Sequence, residues 1–159
     1  MNNLLELLRQ NGRETPENLA KLLQVSVEEV LEQMQQLEEK GVIRAYQAVV
    51  NEEKLDQSKV TTVIEVKVIP EDEGGFDTIA QRISRFPEVE SLFLMSGTFD
   101  LLVFIKGKTM HEAAQFVSEK LATMKGVTST ANHFMMKTYK LNGIEMHSGE
   151  DDERLKISP

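Results

Sequence analysis

The chain contains no cysteine, which excludes disulfides and thiolate metal sites. No apolar run approaches the roughly 20 residues that a membrane-spanning helix needs. The opening Met1-Asn2-Asn3-Leu4-Leu5-Glu6 lacks the basic-then-apolar order of a secretion signal. A cytoplasmic protein is therefore expected. Basic charge is scarce too. The formal net charge is −8, the wrong sign for broad, non-specific binding to nucleic acid, although a local positive patch remains compatible with it. There is no glycine-rich phosphate loop, no metal-ligand spacing and no catalytic constellation. His111, His133 and His147 are widely separated in the sequence. No cofactor, metal site or enzymatic activity is expected.

What is present has the hydrophobic and charged balance of a globular protein, over a length that suits two small domains. Residues 60–138 organise the chain. They read as strand, helix, strand, strand, helix, strand, over Val60–Ile69, Gly75–Phe86, Val89–Met95, Phe99–Lys106, Met110–Met124 and Val127–Thr138. This βαββαβ order is the ferredoxin-like arrangement. Val60, Thr62, Ile64, Val66 and Val68 share one face of the first strand, opposite Glu65 and Lys67. Phe76, Ile79, Ala80, Ile83 and Phe86 form the apolar stripe of the first helix, and Pro87 ends it. Met110, Ala113, Ala114, Val117, Leu121 and Met124 do the same for the second. Leu92–Met95 and Leu101–Ile105 are apolar on both faces. Two helices cover one face of a four-stranded sheet, so the other apolar face predicts self-association.

Ahead of this unit, residues 1–50 read as a helical module. Leu4, Leu5, Leu7 and Leu8 stripe a first helix, which Asn11-Gly12 closes. Thr15 caps a second helix that begins at Pro16, with Leu19, Leu22 and Leu23 as its buried side. Ser26-Val27-Glu28-Glu29 is a capping-box pattern that opens a third. Val27, Val30, Leu31, Met34 and Leu37 recur there at helical spacing, up to Gly41. Three short helices with a tight turn fit a helix-turn-helix, and Val42-Ile43 and Tyr46–Val50 read as wing strands. A plain three-helix bundle satisfies the same pattern. Residues 51–59 are polar and read as a linker. The sensor-like unit spans 60–140, and 141–159 reads as an acidic, disordered tail.

Residues 3–140 resemble the Lrp/AsnC family of transcription regulators. The matching pieces are Glu17-Asn18-Leu19-Ala20, Val25-Ser26 with Val30, Leu37 and Gly41-Val42-Ile43, then Tyr46-Gln47-Ala48 and Asn51. Pro87-Glu88-Val89, Ser96-Gly97-Thr98-Phe99-Asp100-Leu101, and Gly126-Val127 with Thr130 follow in order. The resemblance implies an α+β protein, a winged helix-turn-helix joined to a ferredoxin-like amino-acid-sensing domain. It implies homodimers, which assemble into octamers in many members. The expected partners are double-stranded DNA and a small effector such as an amino acid, with no membrane. The residues assigned to DNA are Thr15, Ser26, Val27, Glu28, Gln33, Gln36 and Arg44. Those assigned to the effector are Ser96, Gly97, Thr98, Phe99, Asp100, Thr130 and Asn132. The Gly97 backbone suits a carboxylate and Asp100 an α-amino group. The bland alternative is a hairpin in which Asp100 satisfies backbone amides.

Two departures stand out. The third helix carries Glu32, Gln33 and Gln36 where the family usually has arginine, and residues 1–45 hold five basic against eight acidic residues. Asn132 stands where a threonine is common. These motivate a second reading, a metabolite sensor or partner protein of this fold that does not bind DNA. A third is an enzyme resembling the sirohaem decarboxylases, with His133 and Arg82 or Arg85 as its candidate residues.

Overall fold

A computed structural model describes residues 2–55, 59–69, 75–107 and 109–146. It divides into two compact units, Met1–Val50 and the chain from Asn51 onward.

The first unit holds α1 (Asn2–Gln10), α2 (Pro16–Leu23) and α3 (Val27–Glu39). Both expected caps form. The Thr15 hydroxyl accepts from the Asn18 amide, and Ser26 Oγ accepts from the Glu29 amide at 3.1 Å. Each satisfies a donor that the first helical turn leaves open. Gln24 turns the chain in a left-handed conformation (φ +58°), and Gly41 does the same after α3 (φ +67°). Leu4, Leu8, Leu19, Ala20, Val30 and Leu37 make the core.

Two expected core residues lie outside it. Leu22 is 61 % exposed and Leu31 49 %. Each sits on the flank of its helix, and in α2 the buried positions are Leu19 and Ala20. The expected wing strands are also absent. Residues 43–50 run without a strand. A side chain ties this stretch down instead: the Tyr46 hydroxyl donates to Glu38 at 3.0 Å. Burial and that carboxylate push the Tyr46 phenol above its ordinary value.

The second unit is the ferredoxin-like βαββαβ. Its sheet strands are β1 (Val60–Val68), β2 (Val89–Leu94), β3 (Leu101–Gly107) and β4 (Val127–Phe134), with helices α4 (Gly75–Ser84) and α5 (Met110–Phe116). Strand order is β2-β3-β1-β4, with every pair antiparallel. Ile64, Val66, Val103, Leu101 and Ile105 meet Ile79, Ile83, Ala113, Phe116, Val117 and Leu121 in one core. A π turn (Val117–Leu121) follows α5, closed by the Ala122 amide on Val117 O at 2.8 Å. It brings Phe116 and Val117 inward together, while Met110, expected to pack, is 51 % exposed. Gly126 (φ +91°) lets β4 begin hard against α4. A Cβ there would stand 2.7 Å from Ile79 Cδ1.

The ends of this unit differ from expectation. Residues 51–55 do not run free. Glu52–Lys54 form a 3-10 turn, Asn51 Nδ2 donates to Met146 O, and Lys106 pairs with Glu52 at 3.2 Å. The tail likewise begins as structure. β5 (Lys140–Leu141) and β6 (Ile144–Glu145) make a hairpin through Asn142 and Gly143, both at positive φ, and Met146 is buried beyond it. Asn-Gly is the residue pair that a two-residue hairpin turn favours. The rest of the acidic tail, from His147, and the Pro70–Gly74 break lie outside the described residues.

Candidate nucleic-acid interface and effector site

Helix α3 buries Val30 and Leu37 and half-buries Val27, Gln33 and Met34. Its outward face, set by the 3.6-residue period, carries Glu28, Glu32, Gln35 and Glu39, with Leu31 on its flank, all exposed. Among the residues assigned to DNA, Glu28 and Gln36 are exposed on α3. Ser26 is spent as cap, and Gln33 leans toward the core, its amide donating to Glu29 at 3.3 Å. Thr15 caps α2, so its oxygen too is already engaged. Arg44 lies on the chain after Gly41, beside a pocket of about 480 Å³ lined by Leu5, Leu8, Arg9, Ile43 and Tyr46. No basic residue stands in the last turn of α3.

In the second unit, Ser96, Gly97, Thr98, Phe99 and Asp100 form the turn from β2 to β3. Asp100 locks it. Its amide donates to Val66 O at 3.1 Å, its carbonyl accepts from the Met95 amide at 2.8 Å, and its Oδ2 accepts from the Val68 amide at 2.9 Å. The last bond matters because β1 slips register against β4 between Lys67 and Val68. The β1–β3 ladder has ended at Val66, so Asp100 supplies the acceptor that a strand would have supplied. The bland expectation for Asp100 is thus what the geometry contains, and its second oxygen is left for other work. Thr130 stands opposite Val66 on β4, so it flanks the same end of β1 from the other side. Asn132 lies two residues farther along, opposite Ile64, and is exposed. The turn and Thr130 converge on one end of the sheet, with Asn132 set back from it.

The sequence reading missed a second concavity. A pocket of about 310 Å³ lies against Glu88, Ile105, Lys106, Phe116 and Lys120. Lys120 bridges Glu88 and the rings of Phe86 and Phe116, 5.4 and 5.5 Å away. Its ammonium, hydrogen-bonded to Glu88, holds that carboxyl below the ordinary carboxylate range. Lys106 is raised above its ordinary value by the Glu90 carboxylate 2.7 Å away, with Glu52 adding to it. The available signal was the alternation of charge with apolar residues over Glu88–Glu90.

His133 does not combine with Arg82 or Arg85. It pairs with Glu65 at 3.3 Å on the face of the sheet away from the helices, whereas Arg82 belongs to α4 on the other side. Among the described residues no group of His, Asp and Glu is placed to hold a metal ion. No described helix is long and apolar enough to cross a membrane.

A capped helix-turn-helix followed by a ferredoxin-like unit is the architecture of a two-domain protein with a DNA-binding type of head. The comparisons agree. Residues 2–44 match the winged helix-turn-helix DNA-binding family, and residues 61–144 the Lrp/AsnC ligand binding domain. The chain is 45 % identical over 157 residues to the uncharacterized HTH-type transcriptional regulator YugG of Bacillus subtilis, covering 98 % of this chain and 95 % of that one. It is 28 % identical to the leucine-responsive regulatory protein of Haemophilus influenzae, over 86 % of this chain and 82 % of the other. A transcriptional regulator of Neisseria meningitidis, solved in complex with L-methionine, superposes with a TM-score of 0.70 at 27 % identity, covering 87 % and 88 %. The chain belongs to the Lrp/AsnC family and is a DNA-binding transcriptional regulator with a ligand-binding domain, not an enzyme.

The Asp100 geometry generates a first prediction. Asp100→Ala leaves the Val68 amide without its partner and lowers unfolding stability by about 1–3 kcal/mol, while Asp100→Asn, which keeps an acceptor, loses less. Chemical denaturation of the two variants checks this. Equal stability of Asp100→Ala and the wild type would show that the bond is dispensable.

Proposed function

We propose that this regulator responds to an amino acid or a closely related small metabolite, bound at the Ser96–Asp100 turn with Thr130. The observation that carries this reading is the convergence of the turn, the spare Asp100 oxygen and Thr130 on one end of β1. The turn's backbone suits an α-carboxylate, and Asp100 suits an ammonium. The relatives lend support, one being leucine-responsive and one solved with L-methionine. Asn132 sits set back from the turn and makes an outer contact at most. The protein works in the cytoplasm as a homodimer, joined through the uncovered sheet face, and such dimers are the unit from which octamers would be built.

Isothermal calorimetry with L-leucine and L-methionine tests the ligand class. The wild type binds at least one, and Asp100→Asn, which keeps the Val68 bond but loses the charge, binds about 10- to 150-fold more weakly. Heat from neither would remove these two as effectors, and heat from none of the common amino acids would remove the class.

The helix-turn-helix contacts DNA through α3, whose acidic face holds affinity down. On a DNA fragment of arbitrary sequence, Glu32→Arg binds more tightly than the wild type and with a steeper dependence on salt, because more counterions are released. Gel-shift titrations at two salt concentrations measure both. Unchanged affinity and slope would mean that α3 does not approach DNA.

A further inference from the structure

Glu32 costs the helix it stands on. Glu28 and Glu29 lie in the first turn of α3, where the helix dipole favours acid. Glu32 lies beyond that turn, four residues after Glu28 and three after Glu29, so like charges face each other along one side. Its neighbours a turn ahead, Gln35 and Gln36, offer no cation. Neither Glu28 nor Glu32 has a hydrogen-bond or ion-pair partner among the described residues, whereas Glu29 is bonded by Gln33, Glu38 by Tyr46 and Glu39 by Gln35. Leu31, beside Glu32, is 49 % exposed where a polar residue would be cheaper. The dipole accounts for Glu28, but no contact among the described residues of the unit accounts for the unpaired Glu32 or the exposed Leu31.

The major groove gives them a use. A carboxylate only accepts hydrogen bonds. Guanine shows it two acceptors, N7 and O6, and repels it. Adenine shows a donor, N6, beside an acceptor, N7. Cytosine shows the N4 amino group with no acceptor on its own base in the groove. An exposed leucine matches the thymine methyl.

We propose that Glu32 and Leu31 set the base preference of α3: Glu32 selects cytosine through its N4 amino group, and Leu31 selects a neighbouring thymine through its methyl. Glu28, one turn earlier on the same face, reinforces the demand for a donor. The inference rests on α3 being the helix that enters the groove. Acidic residues then serve as a filter, lowering affinity for all DNA and restoring it where a cytosine is correctly placed.

Selection from a random duplex library with the full-length protein tests this, run in parallel with Glu32→Gln and Leu31→Ala. The wild type enriches a site with cytosine at a fixed position in each half-site. Glu32→Gln moves that position to adenine, which glutamine bonds bidentately, and a change of roughly 5- to 150-fold in the preference between the two bases is expected. Leu31→Ala loses the thymine at the adjoining position. Both side chains are exposed and both variants should melt with the wild type. An enriched site that is the same for all three proteins overturns the assignment. No enrichment by the wild type overturns the reading of α3 itself, and the assignment with it.

Discussion

A four-stranded sheet has two faces, and the described helices of its own unit cover one. Register fixes which residues go where. Ile64, Val103 and Leu92 stand in one row under the helices, as do Val66 and Leu101. The next rows point the other way and bring Val63 beside Phe104 and His133, and Glu65 beside Leu102 and Ala131, with Phe93 opposite Leu102. Phe93 and Phe104 meet edge to face at 6.0 Å, yet Phe93 is 52 % exposed. An aromatic pair on an open sheet face leaves apolar area in water that a second copy would remove. Helix packing, the exposed aromatic pair and the placement of His133 all follow from this one imbalance.

The same sheet positions the Ser96–Asp100 turn proposed to hold the effector. β1 is central and hydrogen-bonded on both sides, so its two ends are the places where a ladder must stop. At one end Asp100 and Thr130 finish it; near the other, Lys106 and the 3-10 turn after Asn51 are tied together. The turn is thereby held by the sheet rather than left as a mobile loop. A ligand bridging Asp100 would act on a residue that also secures β1, a strand that contributes to the uncovered sheet face.

The parts of the fold legible in the sequence are those governed by period and caps. Thr15 and Ser26 announce their helices because an N-terminal turn has few other acceptors, and the alternation from Val60 to Val68 names its buried face outright. Leu22 and Leu31 were misleading because apolar character marks a helical face only to within a flank. The two strands assigned to the wing were misread because a strand is defined by its partner, and nothing in Ile43–Val50 says whether one lies alongside. The Asn142-Gly143 turn was legible, but the polar composition around it pointed to a tail. The Asp100–Val68 bond could not be found in sequence, since it depends on a register slip in β1. For the candidate site, the turn and Thr130 were named through family likeness alone, and their shared position at one end of β1, with Asn132 set back, needed the strand register.

Sedimentation at micromolar concentration tests the central claim most directly, with Phe104→Lys as the companion to the wild type. Phe104 points away from the helices, so its replacement leaves the core intact while placing a charge in the middle of the uncovered face. The wild type should sediment at twice the 18.0 kDa protomer mass or more, and Phe104→Lys should fall toward the protomer while keeping its helical content. A wild type that runs as a clean 18.0 kDa monomer would contradict the account.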